Sequence, residues 1–429
     1  MTRKPQRKKR QHYVPQQYLK KFSTVKNISG KEECLYAYSF KTRGCCLENV
    51  KDLCKKDFFY GKDDRSQKFE NGLSQFEQRH SEIIQKIIDT HSIDCLNKDE
   101  YIEFLLFLLL QDARTKRSQW EIREFTQVMV ENVIKPQLKL KERPADIPED
   151  FIDKLDIKFS GDFALRMLGA ICYVEGLSDL KVILINNTTE RNFYCSDHPV
   201  VRYNYIEFED STSLDYLAPG LLIFFPLNNE NLVLLFDEKA YSVDVDFGSV
   251  YCLNNTTDLD SINKLQFINA FDCVLFSDGN EIANVKKMHA DLQRYISHEY
   301  HIERKEILHN DGSKTLVMHH VPEKSGFKLN LSFISPRYEY IEYCMEEYKK
   351  RTKHTPGAKP RRSLELAAKV EECLRKSENK ISEIMKDHSG KFFTFSPDQS
   401  PTTKSKHNPN FEQGAINRSA IKTDPNQKK

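Results

Sequence analysis

"FLLFLLLQDARTKR", residues 104–117, carries the reading of this chain. Seven apolar residues run straight into Gln, Asp, Arg and Thr without an intervening Gly or Pro. A bilayer needs about 20 apolar residues, so the run reads as two turns of a helix buried on all sides. Phe104, Phe107 and Leu108 mark its inner stripe, and Gln111, Arg114 and Thr115 continue that stripe one turn further on. A polar side chain placed there faces the interior or a cleft, and a buried charge needs a partner. The period predicts one helix from about Lys98 to beyond Val130.

Upstream, from Glu70, the spacing is again helical, with Leu73, Phe76, Ile84, Ile87 and Ile88 on one face. Glu77 and His80 interrupt that face. The economical partner for Arg114 is therefore Glu77, joining two helices either as a buried bridge that sets their register or as part of a site. A third helical stretch, Phe163–Val174, completes an expected helical layer over residues 70–180.

The texture then changes to short β-type runs. "KVILINN" (181–187), "FYCSDHPVV" (193–201), "GLLIFFPL" (220–227) and "NLVLLF" (231–236) are strand-like, and "PLNNEN" supplies a hairpin turn. A helix around Ser261–Phe271 leads into "CVLFS". "ECLYAYSF" and "CCLENV" read as an N-terminal hairpin, "TLVMHHV" and "FKLNLSFI" as two later strands, and "EYIEYCMEEYKKR" as a helix. The expected class is α+β: a helical layer packed on a mostly antiparallel sheet over residues 11–350.

The flanks differ in charge. Residues 1–10 hold six Lys/Arg and no acid, and residues 351–429 hold 17 Lys/Arg against nine Asp/Glu. With a total of +2, residues 11–350 carry 2 − 6 − 8 = −12. An acidic body with basic ends is not a broad nucleic-acid surface, so any anionic ligand or nucleic acid would be drawn by the basic arm or a local groove. After "HTPGAKPRRS", residues 364–388 read as an exposed amphipathic helix suited to a protein partner, with Leu366, Val370, Cys373, Ile381 and Ile384 as its stripe. Residues 390–429 are polar and read as disordered. The arm and tail are expected to be trimmed by limited proteolysis without loss of the core. Eleven scattered cysteines and no apolar leader point to reduced thiols and a cytoplasmic location.

Candidate chemistry is sparse. The gaps among Cys34, Cys45, Cys46 and Cys54 do not suit zinc, and His319 and His320 fall on opposite faces of a strand. No phosphate-binding Gly-rich loop or Gly-x-Ser-x-Gly elbow occurs. What remains is His12 in "HYVPQQYLKKF" (12–22), Glu77, Arg114, and Asp197 in "YCSDHPVV", where the Asp either caps a turn or serves as a strand-end carboxylate, with His198 nearby.

These same segments resemble the DUF4238 family, a domain of unknown function whose members open with His-Tyr-Val-Pro-Gln. They also carry a mid-chain Gln/Arg-Thr helix and a Ser-Asp-x-Pro strand end. The resemblance spans about residues 12–280 and names no activity. His198 stands where members often carry another polar residue, so it is not counted with the shared positions.

Two classes of function follow. In one the protein binds a ligand or partner and regulates. In the other it is a metal-dependent hydrolase, such as a nuclease, in which His12, Glu77 and Asp197 hold a divalent ion and Arg114 stabilises developing phosphate charge. Tyr13, Gln16, Gln111, Thr115 and Ser196 would line the site. Geometry separates the two classes: an enzyme requires His12, Glu77 and Asp197 to converge in a pocket. The expectation is that His12 approaches Asp197 or the Glu77–Arg114 pair, and that alanine at His12 or Asp197 spares the fold.

Overall fold

A computed structural model describes residues 8–386 and 393–397, apart from 24, 27–32, 63, 140–149, 160–161, 207–213, 247, 297–300, 309–313, 322–325 and 355–358. Its helices are α1 (Gln16–Lys20), α2 (Asp64–Thr90), α3 (Lys98–Ala113), α4 (Lys116–Met129), α5 (Lys135–Lys139), α6 (Asp162–Ile171), α7 (Thr256–Asn269), α8 (Ile282–Leu292), α9 (Tyr338–His354) and α10 (Leu364–Lys386).

The centre is a five-stranded sheet in the order Val250–Leu253, Lys181–Asn187, Asn231–Phe236, Leu221–Pro226, Val201–Asn204. Only the first pair is parallel; the other three are antiparallel. The strands Asn231–Phe236 and Leu221–Pro226 are buried at every position. Their alternate residues explain why. Ile223, Phe225, Val233 and Leu235 face Phe104, Phe107 and Leu108 of α3, whereas Leu222, Phe224, Leu232 and Leu234 face Leu259, Ile262 and Leu265 of α7. A strand covered on both sides has no polar face to display, so its sequence is a continuous apolar run. A second sheet joins Glu33–Ser39, paired with Gly44–Asn49, to Cys273–Phe276 and Cys195–Ser196. The expected α+β architecture is the one observed.

Four local features differ from the sequence-based expectation. The long helix expected from Lys98 breaks after Ala113. Arg114 leaves helical geometry, and the Thr115 side chain accepts from the Ser118 N–H to cap α4; a hydroxyl at this point offers the backbone an alternative to continuing. "FKLNLSFI" contributes only Ile334 to a ladder, pairing Ile334–Pro336 with Tyr241–Val243, although Leu329, Leu331 and Phe333 are buried. The basic arm is tied from Lys8 onward: Lys9 pairs with Asp57, and Arg10–His12 forms a strand against Lys55–Asp57.

Lastly, α10 is not free-standing. Ala367 and Val370 are buried with Leu217. Gly176 leaves room for Leu217, since a Cβ there would meet Leu217 Cδ2 at 2.6 Å. Arg362, just ahead of α10, is buried and donates to Asp179 and to the carbonyls of Gly176, Tyr216 and Ala218. Phe393–Pro397 pairs with Leu155–Phe159; residues 1–7 of the arm and 387–392 and 398–429 of the tail lie outside those described.

Candidate functional site

The break between α3 and α4 is where the chain's unusual polar residues gather. On one side lies Arg114, whose side chain is 2% exposed. Its Nη2 donates to Glu77 Oε1 at 2.6 Å and to the His12 carbonyl at 2.8 Å, and its Nε donates to Tyr60 Oη at 2.9 Å. The hydroxyl of Tyr60 donates in turn to the same His12 carbonyl. Glu77 and Arg114 are thus the pair that the helical period implied, and they bolt α2 to α3 and to the N-terminal segment. Gln111, fully buried, donates to the Tyr13 carbonyl at 3.2 Å, so the helix end reads the backbone of the His-Tyr-Val-Pro-Gln stretch at two successive residues.

Glu70 completes this side. It is 9% exposed, and its Oε2 has no hydrogen-bond partner among the described residues. Burial lifts its carboxyl to about 7, with Arg114 opposing and the like charge of Glu77 adding. The sequence reading missed Glu70 because it opens the helical stretch, ahead of the stripe that revealed Glu77. It missed Tyr60 because a tyrosine in a loop gives no periodic signal.

The His12 ring takes its hydrogen-bond partners outside this cluster. Its Nε2 faces the Lys51 carbonyl at 3.2 Å and the Gln16 amide nitrogen at 3.2 Å. Burial lowers its pKa. Pro15 stands immediately before α1, and Tyr13 is buried against Phe59 and under the Lys116 ammonium.

Asp197 sits at a strand end, wholly buried. Its Oδ1 and Oδ2 accept from the backbone N–H groups of Phe271 and Asp272 at 2.8 and 2.7 Å. Burial and the charge of Asp272 push its carboxyl up to about 7, against those two amides and Lys116. Ser196 donates to Gln266 Oε1 and accepts from the His198 N–H. The Ser-Asp-His-Pro turn is therefore clamped by the end of α7 and the strand that follows it. The hydrogen bonds of Asp197 run to Phe271, Asp272 and Cys273, and those of the His12 ring to Lys51 and Gln16. Of the two approaches expected of His12, the one to the Glu77–Arg114 pair occurs, and it is made by the carbonyl. Alanine at Asp197 would leave the N–H groups of Phe271 and Asp272 without this acceptor, which argues against the expectation that it spares the fold.

The other side of the break holds a second cluster, mostly invisible from sequence. Thr115 Oγ1 meets His198 Nδ1 at 2.7 Å. His198 Nε2 lies 3.3 Å from Asp112 Oδ1, and burial pushes the imidazole down to about 4. Asp112 also pairs with Arg202 at 3.3 Å and accepts from the Tyr216 hydroxyl. Burial alone would raise the Glu121 carboxyl, but Arg117 and Arg166 hold it down, at about 2. Beside them Lys359 and Arg361 pair with Asp215. Tyr173 lies in the field of Asp215, Arg361, Arg166 and Arg202 together, which makes this one patch. Asp112 follows Gln111 directly, but it lies off the stripe that was read, and Arg202, Glu121 and Tyr216 come from elements whose meeting no local pattern announces.

Among the described residues, no group of three or more His, Cys, Asp or Glu side chains is placed to hold a metal ion, and no helix is long and apolar enough to cross a membrane. The fold and site define an α+β domain in which three polar motifs interlock around a helix break. A family model described as "Protein of unknown function (DUF4238)" matches residues 10–280, and the chain belongs to that family. Searches of curated proteins and of solved structures return no match.

Proposed function

We propose that this is a binding protein with a regulatory role, whose ligand is anionic and docks on the guanidinium-rich patch around Tyr173. The observation that carries this reading is the charge of that patch. Five cations (Arg117, Arg166, Arg202, Lys359 and Arg361) share three carboxylates (Asp112, Glu121 and Asp215). The local balance is +2, and the excess is supplied by Lys359 and Arg361, which lie beyond residues 11–350 with their total of −12. Planar guanidiniums suit bidentate recognition of phosphate or carboxylate. Arg166, 37% exposed, is the most open of the three ion-paired arginines Arg117, Arg166 and Arg202.

The shared motifs serve as scaffold in this reading. The His12 ring, the Glu77 carboxylate and the Asp197 carboxylate are hydrogen-bonded to different groups within the protein, which weighs against the hydrolase reading and for binding. Calorimetric titration with inorganic pyrophosphate at low ionic strength tests it. Saturable binding, weakened at least about tenfold in Arg166→Ala and by added salt, is expected. Equal affinity in wild type and variant would remove the patch as the site, and phosphate release from pyrophosphate that depends on Glu77 or Asp197 would restore the hydrolase.

A further inference from the structure

The N-terminal segment lies along α2. The backbone N–H of Lys8 donates to Gln67 Oε1 at 2.7 Å, and its ammonium donates to Ser74 Oγ at 3.0 Å. Gln17 donates to Gln78 Oε1 at 3.1 Å, and Lys21 donates to Gln85 Oε1 at 2.8 Å. Residues 8–21 thus follow residues 67–85 of α2, a path of about 27 Å at 1.5 Å per residue. Segment 8–21 carries Lys8, Lys9, Arg10, Lys20 and Lys21 and no acid. The bias continues along the sequence: residues 1–31 hold ten Lys/Arg and no Asp or Glu, which leaves 2 − 10 = −8 for residues 32–429.

Packing sorts this segment into two faces. Tyr13, Tyr18, Leu19 and Phe22 are buried, whereas Lys8, Lys9, Arg10, Gln17 and Lys20 are exposed. The helix beside them answers with neutral groups, so the hydrogen bonds of Lys8 and Lys21 end on uncharged oxygens. Lys9 and Lys20 pair with Asp57 and Glu33, but their side chains are 65% and 49% exposed. Surface pairs of this kind contribute little, so an incoming phosphate can take the place of the carboxylate. Gln17, Lys20 and Lys21 line a groove with Ser81, Glu82 and Gln85. Glu82, the carboxylate in that groove, accepts from Gln78 and lies 3.9 Å from Arg79.

We propose that this strip is a docking surface for the phosphate backbone of a nucleic-acid duplex. Its length matches about eight phosphates of one strand at 3.4 Å each, whereas a small anion would occupy one end of it. Lys and Arg interleaved with amides and hydroxyls are the groups that contact phosphate and sugar. The rings of Tyr13, Tyr18 and Phe22 are buried, so the segment presents none of them for unpaired bases to stack on. Among the described residues, no large apolar side chain is exposed in 8–21 or 67–85, so the strip lacks the apolar face that enters a membrane surface. Contacts to the backbone carry no base readout, and binding is independent of sequence. The strip is separate from the patch around Tyr173, and the inference does not rest on that patch.

The test is fluorescence anisotropy of a labelled random-sequence DNA duplex titrated with the full chain at several salt concentrations. Saturable binding that weakens with salt is expected. Lys8→Gln/Arg10→Gln/Lys21→Gln should bind at least about tenfold more weakly, with a log–log salt slope shallower by about 3, at about 0.9 per phosphate. Lys9→Gln/Lys20→Gln, which alters only exposed ion pairs, should make the slope shallower by about 2. Circular dichroism matching wild type would establish that both variants fold, and Arg166→Ala should bind the duplex like wild type. Absence of duplex binding, or variants equal to wild type in affinity and slope, would overturn the proposal. So would a loss confined to Arg166→Ala, or capture of phosphatidylserine vesicles without duplex binding.

Discussion

Removing either member of the Glu77–Arg114 pair is the perturbation with the largest expected effect. Arg114 makes three hydrogen bonds and has 2% of its side chain exposed; Glu77 has 18%. In Arg114→Ala the His12 carbonyl keeps the Tyr60 hydroxyl as a donor at 3.0 Å, so the cost falls mainly on the Glu77 charge and on the void. In Glu77→Ala the guanidinium stays buried with two neutral acceptors. Breaking a buried pair from one side costs about 3–5 kcal/mol, and each single variant is expected in that range. The double variant should lose less than the sum, with a coupling of about 1–3 kcal/mol. Glu70 moderates Glu77→Ala in particular, because its carboxyl, held up to about 7 partly by Glu77, is freed to ionise beside Arg114. Urea unfolding followed by circular dichroism at several pH values measures the cycle. Single losses below about 1 kcal/mol that simply add would show that the pair is not the bolt described here.

Other expectations follow from the same geometry. Glu70 has a folded-state pKa raised from 4.5 to about 7, so the folded form holds the proton more tightly and stability falls as pH rises between those values. Glu70→Gln should match wild type near pH 4 and exceed it by about 1–3 kcal/mol above pH 7, and a variant equally stable at both pH values would refute this. Asp197→Ala leaves the Phe271 and Asp272 amides without their acceptor and should cost about 2–4 kcal/mol in denaturant unfolding, whereas no loss would mean that the turn finds other partners. Arg362→Ala removes the bonds to Asp179 and three carbonyls and should make α10 an early target of limited proteolysis; cleavage rates equal to wild type would contradict its role as anchor.

Much of the architecture was legible because burial writes itself into period. The α3 run and the strands Leu221–Pro226 and Asn231–Phe236 were identifiable as apolar stretches too short to span a membrane, and Glu77 and Arg114 stood out as charges on buried stripes. The break at Thr115 was not legible, since no Gly or Pro marks it and the cap is a single hydroxyl to Ser118. The role of Asp197 was legible only as two alternatives, because whether a strand-end carboxylate caps or catalyses depends on what faces it, and Phe271 and Asp272 are over 70 residues away. The charged patch was hidden for the same reason. Arg117, Arg166, Arg202 and Arg361 come from four separate segments, and each alone resembles a solvated surface residue. The stripe on α10 was visible, but the partner that covers it, Leu217 beside Gly176, was not.

The central claim is that the shared motifs are scaffold and that the charged patch beside them binds an anion. Pyrophosphate titration of His12→Ala beside Arg166→Ala tests it most directly, because the two residues belong to opposite sides of the α3–α4 break. The account predicts that His12→Ala binds like wild type while Arg166→Ala binds at least about tenfold more weakly. Loss of binding in a folded His12→Ala, with Arg166→Ala unaffected, would contradict it.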